Sequence, residues 1–143
     1  MAATARLILP ISTTDHQGLP ALRHSAELAR SCDPATGLRV AELSRFAVDH
    51  RFRRRFELSA YPPDFAPSWP DFRPSAERLD LLGGLVLATL AMACRHEVDV
   101  IVALADPPLV RLMRRLDVLL VEVGPPVEFH GPRQPIRVDT IEA

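Results

Sequence analysis

The longest apolar run in the chain, Leu81 to Cys94, most limits what this sequence can fold into. Its fourteen residues carry no charge, and a run of that length is too short to span a bilayer and is typical of a buried helix. Apolar residues continue at helical spacing on the N-terminal side, so we predict a helix from Ser75, its N-cap, to about His96. The segment that follows, Val98 to Ala105, is mostly apolar and is predicted to be a strand.

Segments of strand length alternate with helical ones along the rest of the chain. Helices are predicted over Leu19–Arg30 and from Pro107 to about Leu116, where Asp106 can cap the first turn. Such alternation predicts an α/β layer packing around a mixed sheet, and 143 residues suit a single domain. The further predicted strands are Arg6–Pro10, Leu38–Val48, Val118–Val123, Val127–Phe129 and Ile136–Ile141, the last two on either side of a turn at His130-Gly131-Pro132.

Composition excludes several functions. The 17 basic and 18 acidic residues leave a net charge of −1, which argues against a nucleic-acid partner. All the basic residues are arginine, so a lysine Schiff base and a P-loop lysine are excluded. Leu7–Ile11 is too short for the apolar region of a signal peptide. We therefore expect a protein without a membrane span.

Cysteines and histidines give no sign of a metal or disulfide framework. Cys32 and Cys94 have no CxxC partner, which favours a reducing, cytoplasmic location. No histidine stands at a known metal-ligand spacing from a suitable partner, so we predict no metal site. His130 is interpreted as a turn residue at the mouth of a pocket rather than as a catalyst.

The segment from Glu42 to Arg55 holds the strongest chemical signal. Along the predicted strand Leu38–Val48 the alternation of apolar and polar residues slips between Leu43 and Phe46, as happens at a β-bulge. Glu42 and Arg45 flank Ser44 there. A buried pair of opposite charges needs satisfied partners, so two interpretations stay open: a structural ion pair at a strand end, or a base with an orienting cation at a site of acyl transfer.

Four arginines follow in five positions, at Arg51, Arg53, Arg54 and Arg55. Such a cluster is most often a solvated surface, and nucleic-acid binding is disfavoured by the neutral remainder of the chain. The third interpretation is binding of a phosphate or an acidic protein surface. Residues 56–74, which hold five prolines and five aromatic residues, are predicted to form an ordered, irregular insertion loop.

These residues carry a family resemblance. The string Glu42-Leu43-Ser44-Arg45-Phe46-Ala47-Val48-Asp49 resembles the signature strand of the acyl-homoserine-lactone (autoinducer) synthases. The longer match is closer to the acyltransferases associated with the PEP-CTERM/exosortase system of bacteria and to the long-chain N-acyl amino acid synthases. Ala5–Pro10 resembles the arginine-bearing strand before the signature, Pro108–Leu116 a late helix, and Gly124–Pro135 a closing segment.

The resemblance implies the fold of the GNAT acyltransferases, with a mixed central sheet flanked by helices. In that fold two strands, here Leu38–Val48 and Val98–Ala105, diverge, and the pantetheine arm of the acyl donor lies between them. The glycine-rich pyrophosphate loop of CoA-dependent members is absent and arginines stand in its place. This departure is similar to the pattern of enzymes that use acyl carrier protein, whose acidic surface suits arginines.

The implied reaction is attack of a small amine on an acyl thioester, with acyl carrier protein or CoA as co-substrate and no tightly bound cofactor. By resemblance, Glu42 accepts the amine proton, directly or through water, and Arg45 holds Glu42 or an acceptor carboxylate. Ser44 and Arg6 complete the catalytic set. The implied donor-binding residues are Phe46, Ala47, Val48, Arg51, Arg53, Arg54 and Arg55.

One departure from the families is large. They have roughly 60 residues before the strand that matches Ala5–Pro10, so we expect this chain to lack their N-terminal strand and helices. Either the chain is a truncated gene product or a fragment, or a second copy or another chain completes the site. Two alternatives therefore stay open: a CoA-dependent GNAT N-acetyltransferase, and a truncated, non-catalytic remnant that binds a carrier protein or a partner chain.

Overall fold

A computed structural model describes residues 3–12, 18–48 and 76–140. The insertion loop predicted at residues 56–74, the cap at Ser75 and the arginine cluster Arg51–Arg55 lie outside these residues. The elements are β1 (Ala3–Ile8), α1 (Pro20–His24), α2 (Ala26–Ser31), a 3₁₀ helix (Pro34–Thr36), β2 (Val40–Val48), α3 (Ala76–Arg95), β3 (Val100–Ala105), α4 (Pro107–Arg115), β4 (Val121–Glu122), β5 (Val127–Glu128) and β6 (Pro132–Asp139).

The strands form a six-stranded mixed sheet in the order β1-β2-β3-β6-β4, with β5 paired to the start of β6. Among the described strands, β2 and β3 form the one parallel pair; the other pairs are antiparallel. Side chains alternate between the two faces. Val40, Val100 and Val102 pack with residues of α1 and α2, whereas Ala41, Ile101 and their same-face neighbours pack with α3 and α4. The predicted mixed α/β architecture is confirmed.

The predicted helix Leu19–Arg30 is wrong as a single helix, because it is two short ones. Ser25 interrupts it with an extended backbone (φ −135°, ψ 109°), and its buried hydroxyl accepts a hydrogen bond from Leu28 N at 3.2 Å. The side chain thereby caps α2. Both helices pack on the same face of the sheet.

The predicted strand Val118–Val123 is also too long, because the observed strand contains only Val121 and Glu122, which are in register with Arg137 and Ile136 of β6. Asp117 and Val118 form the C-terminal capping motif of α4 instead. Asp117 has a positive φ of 56°, and Val118 N donates to Met113 O at 3.0 Å. This is the hydrogen-bond pattern of a Schellman motif, and it keeps Val118 out of the sheet.

The other strands also differ from the sequence prediction at their boundaries, and β1 and β6 differ most. β1 lies earlier than Arg6–Pro10 because its pairing with β2 runs from Ala3 to Ile8. β6 begins at Pro132 rather than Ile136. Proline lacks a backbone donor, yet Pro135 still contributes its carbonyl, which accepts a hydrogen bond from Val123 N at 2.9 Å.

The predicted cap of α4 is confirmed: Asp106 Oδ1 accepts a hydrogen bond from Leu109 N at 3.0 Å. Replacing Asp106 with alanine should lower the free energy of unfolding by about 1 kcal/mol, since the first turn loses its side-chain acceptor. Asp106→Asn keeps a side-chain oxygen acceptor, so it should lower the free energy of unfolding by only roughly a few tenths of a kcal/mol. Urea unfolding of the two variants measures the difference, and equal stabilities would contradict the capping role.

Candidate active site

The parallel strands β2 and β3 pair over only three residues before they separate. The paired positions are Val40–Val100, Ala41–Ile101 and Glu42–Val102. Beyond them β2 continues along β1 as far as Val48, and β3 continues along β6 as far as Ala105. The divergence that the resemblance implied is therefore present, and it starts at Glu42.

A bulge in β2 lies where the divergence starts. The β1–β2 register passes from Arg6–Ser44 to Thr4–Ala47, so β2 contains one more residue than β1 in this interval. Arg45 takes a left-handed backbone conformation with φ 52°. An extra residue in one strand bends it and increases its twist, which turns the end of β2 away from β3. The bulge predicted from the slip in alternation is confirmed.

The gap opens into a cleft of about 420 Å³ that reaches both faces of the sheet. On the α1 side it is polar, with Glu42, Ser44 and Arg6 in its wall. On the α4 side, beside the ion pair of Asp106 and Arg133, its wall has apolar side chains that belong to the main core cluster or pack against it: Leu43, Phe46, Ala103, Ala105 and Leu109. A ligand lying in the gap would therefore have a polar environment at one end and an apolar one at the other.

Glu42 is a carboxylate held inside the protein. Its residue is 7% exposed, and Oε2 accepts a hydrogen bond from Ala21 N, in the first turn of α1, at 2.9 Å. Burial raises the pKa of Glu42 above its ordinary value of 4.5, and this effect outweighs the Ala21 hydrogen bond and the nearby charges of Arg6 and His24, which lower the pKa. A carboxylate with a raised pKa is a stronger base than an exposed one.

Arg6 and Ser44 face each other across the β1–β2 pair. Arg6 Nη2 donates a hydrogen bond to Ser44 Oγ at 3.2 Å, and the charge of Arg6 acts on Glu42. Arg45 lines the cleft but, within residues 3–12, 18–48 and 76–140, forms no ion pair with Glu42. The interpretation of Glu42 and Arg45 as a strand-end ion pair is therefore wrong. The reason is the bulge, which gives Arg45 a left-handed backbone conformation that a regular strand residue would not have.

The implied donor-binding residues fall into three groups. Phe46 lines the cleft. Ala47 is exposed and lies outside the lining of the cleft. The side chain of Val48 and the cluster Arg51, Arg53, Arg54 and Arg55 are outside the described part of the chain, so their role stays a prediction.

The structure adds residues that the sequence analysis did not assign to the site. Asp106 was predicted only as a cap, yet it and Arg133 line the cleft. The amide of Ala21 is the hydrogen-bond partner of Glu42. A backbone amide that is 21 residues away leaves no trace in a sequence pattern. His130 lies at a turn and lines the cleft, as predicted.

The described residues contain no group of three or more His, Cys, Asp or Glu side chains that could hold a metal ion. In the same part of the chain, no helix is both long enough and apolar enough to cross a membrane.

Comparisons with known proteins agree with this architecture. No protein-family profile and no curated protein matches the sequence. Among solved structures, FeeM, an N-acyl amino acid synthase from uncultured soil microbes, superposes with a TM-score of 0.62 at 18% identity, covering 99% of this chain and 64% of FeeM. The AHL synthase LasI gives 0.59 at 14% identity, covering 97% of this chain and 58% of LasI.

A third structure, TofI in a ternary complex with an inhibitor and MTA, gives a TM-score of 0.51 at 19% identity, covering 97% of this chain and 57% of TofI. At such identities these matches establish the fold: a mixed α/β sheet of the kind found in an N-acyl amino acid synthase and an AHL synthase. The chain spans about three fifths of the length of each of these proteins.

The left-handed backbone at Arg45 can be tested without regard to function. Arg45→Gly and Arg45→Ala both remove the side chain, but only glycine adopts a positive φ without steric cost. The glycine variant should therefore be more stable than the alanine variant by about 1 kcal/mol. Thermal or urea unfolding of the pair measures this difference, and a more stable alanine variant would show that the bulge is not formed in solution.

The raised pKa of Glu42 predicts how stability depends on pH. The folded protein binds more protons than the unfolded chain between the ordinary pKa of 4.5 and the higher folded value, so this residue lowers stability as pH rises through that window. Glu42→Gln keeps an oxygen acceptor for Ala21 N without the charge. Its stability relative to the parent should therefore increase from pH 4 to pH 7, measured by unfolding at each pH. A difference that shrinks with pH would contradict the burial of the charge.

Proposed function

We propose that the cleft is the active site of an N-acyltransferase that moves a fatty acyl group from the thioester of an acyl carrier protein to the amine of a small acceptor such as an amino acid. The observation that carries this proposal is the separation of β2 from β3 directly beside the buried Glu42. The fold shared with FeeM, an N-acyl amino acid synthase, and with LasI, an AHL synthase, supports it.

The gap suits an extended ligand that contains amides. Beyond Glu42 and Val102 each strand keeps its outer neighbour but has no described strand on its facing edge. Backbone N–H and C=O groups there need partners, and an extended chain with amides can supply them as an added strand would. The pantetheine arm of an acyl donor has this chemistry, and it would bring the thioester to the widening gap next to Ser44 and Phe46.

The two ends of the cleft suit the two reactants. The apolar wall of Leu43, Ala103 and Leu109 would take the acyl chain, since burying methylene groups is favourable. The polar wall would take the amine. The amine nitrogen attacks the thioester carbon, the C–N bond forms and the C–S bond breaks. Glu42 accepts the proton that the amine loses and passes it to the departing sulfur, which leaves as the thiol. Backbone N–H groups of the diverging strands near Phe46 would stabilise the oxyanion.

Arg6 and Arg45 supply positive charge to this site. Arg6, hydrogen-bonded to Ser44, would keep the Glu42 carboxylate oriented and favour its ionised form. Arg45, exposed at the cleft, would bind a carboxylate of the acceptor. The carrier protein would dock through the arginine cluster Arg51–Arg55. The association with the PEP-CTERM/exosortase system stays a prediction.

Removing the base should reduce transfer strongly. Glu42→Gln should lower kcat/KM by about 100-fold or more, because a neutral amide cannot accept the amine proton. Mass spectrometry of the acylated amine after incubation with acyl carrier protein thioesters measures it. Glu97→Gln is the matched control, because Glu97 is a surface residue whose side chain is 86% exposed. In the parent, kcat/KM should fall as pH decreases through the pKa of Glu42, which burial raises above 4.5.

The donor is tested by comparing acyl carrier protein with CoA. Transfer from the carrier protein, with charge reversal at Arg53–Arg55 raising KM for that donor alone, would support the proposal. Efficient transfer from acetyl-CoA would favour an N-acetyltransferase instead. Equal turnover by Glu42→Gln and Glu97→Gln would show that Glu42 takes no part in the reaction.

A further inference from the structure

The turn between β5 and β6 forms part of the mouth of the cleft. Phe129 and His130 both line it. The turn is tight: His130 and Gly131 have positive φ values of 54° and 99°, and Phe129 N donates to Gly131 O at 2.9 Å. The Glu128 carboxylate accepts a hydrogen bond from Gly131 N at 2.9 Å. The conformation of this turn therefore fixes the positions of the Phe129 and His130 side chains at the mouth of the cleft.

Arg133 is bonded to the carbonyls of this turn. Its Nε donates to Phe129 O and its Nη2 donates to His130 O, both at 3.1 Å. The remaining nitrogen, Nη1, lies 3.6 Å from Asp106 Oδ2. The planar guanidinium thus uses all three nitrogens on two parts of the chain. The Arg133 side chain is only 29% exposed, so solvent screens these contacts less than at an open surface.

These contacts join two walls of the cleft. Asp106 follows β3 directly and caps α4 through its other carboxylate oxygen, so it is fixed to the wall that carries Leu109. The turn is also held from the opposite side, because the ring of Phe129 packs on His24 of α1 with centroids 4.4 Å apart. Arg133 therefore links the turn to Asp106 at the start of α4, and Phe129 links it to His24 of α1.

We propose that Arg133 is a positioning residue that holds the mouth of the cleft in the shape that binds the acyl donor. The inference rests on the proposed function. Arg133 would act through Phe129 and His130 rather than on the reacting atoms, since its nitrogens are engaged with protein acceptors. Loss of its contacts should therefore weaken substrate binding while the chemistry at Glu42 proceeds as before.

The test compares Arg133→Gln and Arg133→Lys with Arg30→Gln. Arg30 is an arginine of similar chemistry on α2, where it forms a surface ion pair with Glu27. Both Arg133 variants should raise KM for the acyl carrier protein thioester about tenfold, with kcat within about twofold of the parent. Lysine should fail to rescue, because an ammonium cannot bridge two carbonyls and a carboxylate as a planar fork does. Arg30→Gln should behave as the parent.

Hydrogen exchange at the amides of Phe129 and Gly131 provides a readout that does not need activity. Exchange there should be faster in both Arg133 variants and unchanged in Arg30→Gln. An unchanged KM, or a raised KM with unchanged exchange, would overturn the positioning role. Complete rescue by lysine would also overturn it, because charge alone would then suffice. If the parent transfers no acyl group at all, the proposed function fails, and the exchange rates alone decide whether Arg133 holds the turn.

Discussion

The early end of β2–β3 pairing is the constraint on which the site depends. A parallel pair that stayed in register to the end of β3 would fill the centre of the sheet with backbone hydrogen bonds and leave no cleft. Instead one extra residue in β2, with Arg45 in a left-handed conformation, turns the strand away after Glu42. The antiparallel neighbours β1 and β6 hold the separated ends, so the opening is part of the sheet rather than a gap between loops.

The same geometry explains why a carboxylate can be buried at this point. Glu42 is the last paired residue before the opening, so its side chain stands at the base of the cleft under α1. Burial disfavours its charge, and the amide of Ala21 together with Arg6 and His24 offsets part of that cost. The pKa of Glu42 is therefore raised while its hydrogen bond from Ala21 is kept. This combination suits a proton acceptor.

Much of the architecture was predictable from local pattern, because the apolar periodicity of β3, α3 and α4 is strong. The bulge was predictable too, since one slip in the alternation of β2 has few other structural causes. Contacts that depend on tertiary packing could not be predicted from local pattern. The Ala21 amide on Glu42 depends on how α1 docks, and the reach of Arg133 to Phe129 and Asp106 depends on the turn at His130. Ser25 and the Schellman end of α4 changed element boundaries through one or two local hydrogen bonds each.

A titration of the ¹⁵N-labelled protein with a hydrolysis-resistant acyl-pantetheine amide tests the central claim most directly. If the diverging strands accept the donor arm, the amide resonances of Ser44–Phe46 and Ala103–Ala105 should shift together and saturate at one dissociation constant, while those of the paired residues Val40 and Val100 stay in place. Saturable shifts confined to other parts of the chain, or no shifts at all, would contradict the account.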